Sequence, residues 1–186
     1  MRVISGKYRG RRLKGPKGME LRPTGDRLKE TLFNILKPVI QGAWFVDVFS
    51  GTGSIGIEAL SRGAGEVVFI ERDPSAVALI RYNLELCGIQ DGYTIVQDDV
   101  FRVLRALARK NCRTDILFFD PPYNWEPFAD LLKLAWNPAM ITPDTSVIIE
   151  HTRKAVLPTG GNAYVRSRVV CQGNSCLSFY KNCVKV

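Results

Sequence analysis

The chain of 186 residues carries 26 Lys and Arg against 18 Asp and Glu, a net charge of +8, with 46% hydrophobic and 24% charged residues. That size and balance suit one globular domain with a real core and exclude a disordered or low-complexity polymer. No apolar run reaches the roughly 18 residues of a membrane span, and Met1–Lys7 holds no apolar leader core, so a cytoplasmic protein with no membrane partner is expected.

The first 29 residues hold the whole charge excess: ten basic side chains, among them Lys7, Arg9, Arg11, Arg12, Lys14, Arg22 and Lys29, oppose Glu20 and Asp26, whereas residues 30–186 balance. Lys and Arg interleaved with Tyr8 and glycines suit phosphates and stacked bases. The apolar Val3, Ile4, Leu13 and Leu21 among them predict a partly folded arm, a small β element over residues 1–24 attached to a domain over 25–186.

Leu28, Leu32, Ile35, Leu36 and Val39 recur at helical spacing and predict an amphipathic helix over about 25–37. Trp44–Phe49 reads as a buried strand ending in glycines, and residues 54–61 as a helix stopped at Arg62–Gly65. Residues 67–70 give a second strand, and Pro74 opens a helix to Cys87–Gly88. A third strand covers 93–96, followed by a helix through Val100, Val103, Leu104 and Leu107; a fourth covers 116–119. Phe128, Leu131, Leu132 and Ala135 mark another helix, 147–149 a fifth strand, and 163–171 with 176–181 a terminal hairpin turning at Gln172–Ser175. Strand–helix alternation followed by a hairpin predicts a doubly wound α/β fold, a mostly parallel twisted sheet with an antiparallel edge.

Five cysteines, an odd number without C-x-x-C spacing, predict neither a disulfide framework nor a zinc site and suit a reducing compartment. With His151 the single histidine, no metal is expected. Hydrogen-bonded structural roles are expected for His151, and core or near-core positions for Trp44 and Trp136.

Gly51-Thr52-Gly53-Ser54-Ile55-Gly56 fits G-x-G-x-x-G between a strand and a helix, where backbone N–H groups meet a ligand. Dinucleotides and S-adenosylmethionine both use such turns. Asp47, Glu71 and Asp99 fall at the ends of successive strands, where Glu71 could accept from ribose hydroxyls and Asp98 or Asp99, the register favouring Asp99, from an adenine amine. A row of acids opposes pyrophosphate and suits a sulfonium and an ammonium, so S-adenosylmethionine is the expected cofactor.

Asp120-Pro121-Pro122-Tyr123 ends the fourth strand. The prolines impose extended backbone and remove amide donors. Asp120 and the Pro121 carbonyl could therefore accept both hydrogens of an exocyclic amine, while Tyr123 offers a face for a flipped-out base. Trp125 could line the same pocket or cover the sheet edge.

With Leu21-Arg22-Pro23-Thr24, the glycine turn and the Pro-Pro turn in this order, the sequence resembles the bacterial small-subunit ribosomal RNA guanine-N2 methyltransferases of the RsmD type, nearly end to end. The resemblance implies a Rossmann-like class I S-adenosylmethionine-dependent methyltransferase that acts on one guanine N2 of 16S rRNA, with the small ribosomal subunit as partner; a monomer is expected. It places cofactor contacts on Asp47, Gly51, Gly53, Glu71 and Asp99 and the catalytic motif on Asp120, Pro121, Pro122 and Tyr123. The Pro-Pro turn also permits adenine-N6 or cytosine-N4 methylation of DNA, or another RNA. Residues 152–162 match nothing that assigns them a role.

Overall fold

The computed structural model of the protein describes residues 1–16, 23–122 and 127–183. Arg22, Tyr123 and Trp125, each assigned a role from sequence, lie outside them. Strands β1 (Trp44–Val48), β2 (Glu66–Glu71), β3 (Tyr93–Gln97), β4 (Ile116–Phe119), β5 (Ser146–Thr152), β6 (Tyr164–Gln172) and β7 (Ser175–Asn182) form one sheet in the order β3-β2-β1-β4-β5-β7-β6. The first five run parallel, while β7 lies antiparallel to β5 and to β6.

The central strands are apolar on both faces because helices cover both. Phe45, Phe69 and Phe118 face α1 (Pro23–Leu36), α2 (Ser54–Ser61) and α3 (Pro74–Cys87). The alternate residues Val46, Val48, Val68, Ile70, Leu117 and Phe119 face α4 (Val100–Arg109) and α5 (Phe128–Ala135). Both α3 and α4 begin on an aspartate cap, with Asp73 accepting from Ser75 N and Asp99 from Arg102 N.

Two sequence expectations change. Val39 lies beyond the end of α1 and is exposed, because the helix stops at Leu36 before Pro38. Cys171 and Cys176 form a disulfide, contrary to the expectation drawn from the odd cysteine count. Register decides this, since the hairpin turns through Gly173 and Asn174 and sets the two cysteines directly opposite each other. Of the tryptophans, Trp136 is buried and Trp44 half-buried. Among the described residues no helix is long and apolar enough to cross a membrane.

The basic arm is folded against the domain. Val3 N donates to Arg11 O at 2.9 Å and Leu13 N to Met1 O at 3.0 Å, closing a small antiparallel loop with a bridge between Arg2 and Arg12. Val3 and Leu13 sink into the core beside α1. Glu58, fully buried on α2, anchors the loop: it accepts from Ile4 N at 2.8 Å and Ser5 N at 3.0 Å, and pairs with Arg62 at 2.7 Å and Lys29 at 3.6 Å. Lys29 also donates to the Arg2 carbonyl. Burial pushes its ammonium below its ordinary pKa and Glu58 opposes that shift. Lys29 is therefore a structural cation, not part of the exposed basic surface that Lys7, Arg9, Arg11, Arg12 and Lys14 present.

Replacing Glu58 by Ala would strand a buried ammonium and two arm N–H groups. The expected cost is about 3–5 kcal/mol, read as a lower urea midpoint with the slope unchanged.

Candidate active site

The parallel strands point their C-terminal ends at one cleft of about 2420 Å³. That exceeds the roughly 300–1,000 Å³ of a small-molecule pocket and suits two ligands side by side. Asp47, Gly51, Glu71, Asp99, Asp120, Pro121 and Pro122 border it, so the sequence-derived residues from four different strands and turns converge on one place. Gly53 is within the same turn but is not part of the cleft wall.

The glycine turn is built by backbone geometry. Gly51 and Gly53 take φ of 53° and 75°, and Gly53 N closes the turn on Ser50 O at 2.8 Å. The third glycine serves packing: a Cβ on Gly56 would sit 2.2 Å from the Phe69 ring. Gly56 N instead donates to Asp47 Oδ2 at 3.0 Å, tying the turn to the end of β1. Phe49, which sequence alone did not single out, adopts φ of 62° between β1 and the turn and borders the cleft. Strained non-glycine residues of this kind cluster at functional sites, and only a glycine there would have announced the conformation.

Glu71 holds the turn from β2. One oxygen accepts from Gly51 N at 2.9 Å, the other from Arg72 N and Asp73 N. A carboxylate has about four lone-pair sites, so about one is left for a ligand hydroxyl. Asp99 borders the cleft while capping α4; Asp98 is turned to Arg102 at 2.9 Å and is not part of the wall. That favours Asp99 as the cleft-facing acid.

The row of acids is longer than the sequence suggested. In spatial order across the sheet it runs Asp99, Glu71, Asp47, Asp120 and Glu150, one near the C-terminal end of each of β3, β2, β1, β4 and β5. Burial raises the Asp47 carboxyl to about 7, the Gly56 N–H opposes this, and the charges of Asp120 and Glu71 add to it. Asp120 is exposed to the cleft, and desolvation by the surrounding protein pushes its carboxyl upward. Glu150 is half-buried; desolvation and then the Asp120 charge push it upward as well. Its signal was hidden because its neighbour Asp120 lies 30 residues away and becomes adjacent only through strand register.

His151 holds Thr152 O at 2.8 Å and Ser178 Oγ at 2.9 Å, and burial lowers its pKa, consistent with a structural imidazole. The arm reaches the cleft too, with Met1, Arg2 and Arg12 on its wall. The link is Asn83, fully buried on α3: its side chain accepts from Lys14 N at 2.8 Å and donates to Lys14 O at 3.1 Å and Thr52 O at 2.9 Å. Lys154 and Val156, in the segment that the sequence left unassigned, border the opposite side.

A family model described as conserved hypothetical protein 95 matches residues 1–181. The Haemophilus influenzae protein named ribosomal RNA small subunit methyltransferase D is 34% identical over 164 residues, 87% of this chain and 84% of its own. The solved Escherichia coli structure of yhhF superposes with a TM-score of 0.84 at 32% identity, covering 98% of this chain and 97% of that one. A SAM-dependent methyltransferase from Agrobacterium tumefaciens shares the fold at a TM-score of 0.65 and 16% identity, covering 87% of this chain and 63% of its own.

The electrostatics of Asp47 give a sign that can be measured. Its folded-state pKa of about 7 lies above the ordinary 3.8, so its contribution to stability is fully present below 3.8 and is lost as pH rises through 7. Asp47→Asn keeps an acceptor for Gly56 N and cannot ionise. Thermal unfolding of the ligand-free protein between pH 4 and 8 is expected to decline less steeply in the variant than in the wild type.

Proposed function

Because the chain belongs to the RsmD family, we propose that it transfers a methyl group to the exocyclic N2 of a single guanine in 16S rRNA, presented in an assembled small-subunit particle. The relatives' names support rRNA as the substrate class. S-adenosylmethionine is the methyl donor, and when bound it supplies an electrophilic sulfonium methyl. The cleft fits such a group, since Asp47 is held against ionisation by burial and by neighbouring acids, a penalty that a cationic ligand relieves.

The observation that carries the reading is Asp120 followed by two prolines at the end of β4, facing the cleft beside the glycine turn. Asp120 N donates to Val48 O at 3.1 Å, which fixes the backbone while the side chain stays turned to the cleft. Asp120 and the Pro121 carbonyl accept the two N2 hydrogens. Held that way, the nitrogen lone pair is withdrawn from conjugation with the ring and aimed at the electrophile. Positioning and electrostatics supply the rate. Transfer would form the N–C bond as the donor's sulfur–methyl bond breaks, its electron pair staying on sulfur as a neutral thioether, and would leave a proton on nitrogen, for which the Asp120 carboxylate is the adjacent acceptor. Tyr123 supplies a stacking face for the base in this reading.

The arm holds the RNA. Lys7, Arg9, Arg11, Arg12 and Lys14 are exposed on a segment pinned to α2 and α3, and Arg22 extends the same charge in sequence. A monomer with this arm needs no separate recognition domain if the assembled particle exposes one guanine.

Asp120→Ala is expected to bind S-adenosylmethionine with unchanged affinity by calorimetry and to lose methyl transfer by at least about 100-fold; undiminished turnover would sink the mechanism. Charge reversal is unnecessary for the arm: the triple change of Arg9, Arg11 and Arg12 to Gln should flatten the salt dependence of RNA binding by about 0.7 log units for each phosphate no longer neutralised. Labelled S-adenosylmethionine offered with unmodified small-subunit particles, free 16S rRNA and DNA, followed by mass spectrometry of nucleosides, tests the substrate. N2-methylguanosine from particles is the expected product, and methylated adenine or cytosine from DNA would replace the reading.

A further inference from the structure

Glu150 is a cleft-facing carboxylate to which the mechanism above assigns nothing. Parallel register pairs Phe119 with Ile149, so the next residues, Asp120 and Glu150, stand side by side on adjacent strands, roughly 4.8 Å apart in backbone spacing. On its other flank the register places the apolar Leu177 of β7 opposite Glu150. Among the described residues nothing donates a hydrogen bond to its side chain, and no Lys or Arg pairs with it. The next residue, His151, has both ring nitrogens engaged elsewhere. A half-buried acceptor beside a like charge is costly without a ligand that donates to it.

The chemistry of the bases says which donor fits. In guanine one of the two ring nitrogens beside the exocyclic amine, N1, carries a hydrogen. In adenine and cytosine the ring nitrogen next to the amine is a bare acceptor. Resting on the guanine-N2 reading, we infer that Glu150 forms a second carboxylate subsite beside Asp120 that accepts the N1–H of the target base and so selects guanine over other amine-bearing bases. With the N2 hydrogens on Asp120 and the Pro121 carbonyl, three donors of one base edge meet three acceptors from two adjacent strands. A base with an unprotonated N1 sets acceptor against acceptor. Sites that hydrogen-bond a substrate group reject analogues lacking it far more strongly than apolar pockets reject a missing methylene.

The test keeps the 2-amino group and removes N1–H together with O6, and the Glu150 variants separate the two losses, since only the missing N1–H is read by Glu150. Once the methylated nucleotide is located, particles are reconstituted with 16S rRNA carrying either guanosine or 2-aminopurine ribonucleotide there; the analogue retains the 2-amino group and lacks N1–H. Wild-type kcat/KM is expected to fall about tenfold or more on the analogue. Glu150→Gln, whose amide can donate as well as accept, is expected to bring the ratio below tenfold, and Glu150→Asp to restore discrimination in part. Calorimetric binding of S-adenosylmethionine reports that the variants are folded; if Glu150→Gln is not, the ratio expected for Glu150→Asp, smaller than that of the wild type, carries the test. A wild-type ratio below tenfold, or a tenfold ratio retained in Glu150→Gln, overturns the role of Glu150 while leaving guanine methylation intact. Methylation of a different base in unmodified particles overturns the underlying reading and this subsite with it.

Discussion

Like charges gathered at one edge of a sheet repel, and the fold exists around that repulsion. Asp99, Glu71, Asp47, Asp120 and Glu150 end five neighbouring strands. Parallel strands enforce this because every C-terminus points the same way. A sheet covered on both faces then denies some of those acids water, and Asp47 and Glu150 respond by holding protons more tightly. What offsets the cost is local and specific: Gly56 N on Asp47, and three backbone N–H groups on Glu71. The acids left without such protection, Asp120 and Glu150, stand side by side on the cleft wall.

The arm solves the opposite problem. A dense run of cations does not fold on itself, yet here it has a fixed shape because one carboxylate from the domain interior receives it. Glu58 satisfies the backbone of Ile4 and Ser5 and neutralises Lys29 and Arg62. The buried cations act as structure, and the remaining ones are left outward at defined positions. The run of cations in the first 29 residues therefore overstates the charge exposed there by at least Lys29.

Much of this was legible from the chain. The five parallel strands and their helices followed from apolar runs punctuated by glycine and proline, and the terminal hairpin from its Gly-Asn turn. Asp47, Glu71, Asp99 and Asp120 were singled out for their places at strand ends and Gly51 for its motif spacing, and the structure brings all five to one cleft because strand ends converge in this architecture. Glu150 was missed for a physical reason: its meaning comes from a partner on another strand. The same holds for the cysteine pair, which register brought together although the count argued against it. Lys29 looked like surface charge because nothing local marks it as buried, and Phe49 gave no sign of its left-handed backbone.

Asn83 carries a consequence of its own. A single primary amide spends three hydrogen bonds on two segments, Lys14 of the arm and Thr52 of the glycine turn. Neither segment can leave without orphaning polar atoms in a dry interior, at about 1–3 kcal/mol apiece. The arm and the turn are thus expected to melt, breathe and exchange their amide hydrogens as one cooperative body, with the basic segment and the glycine turn sharing a single mechanical clasp.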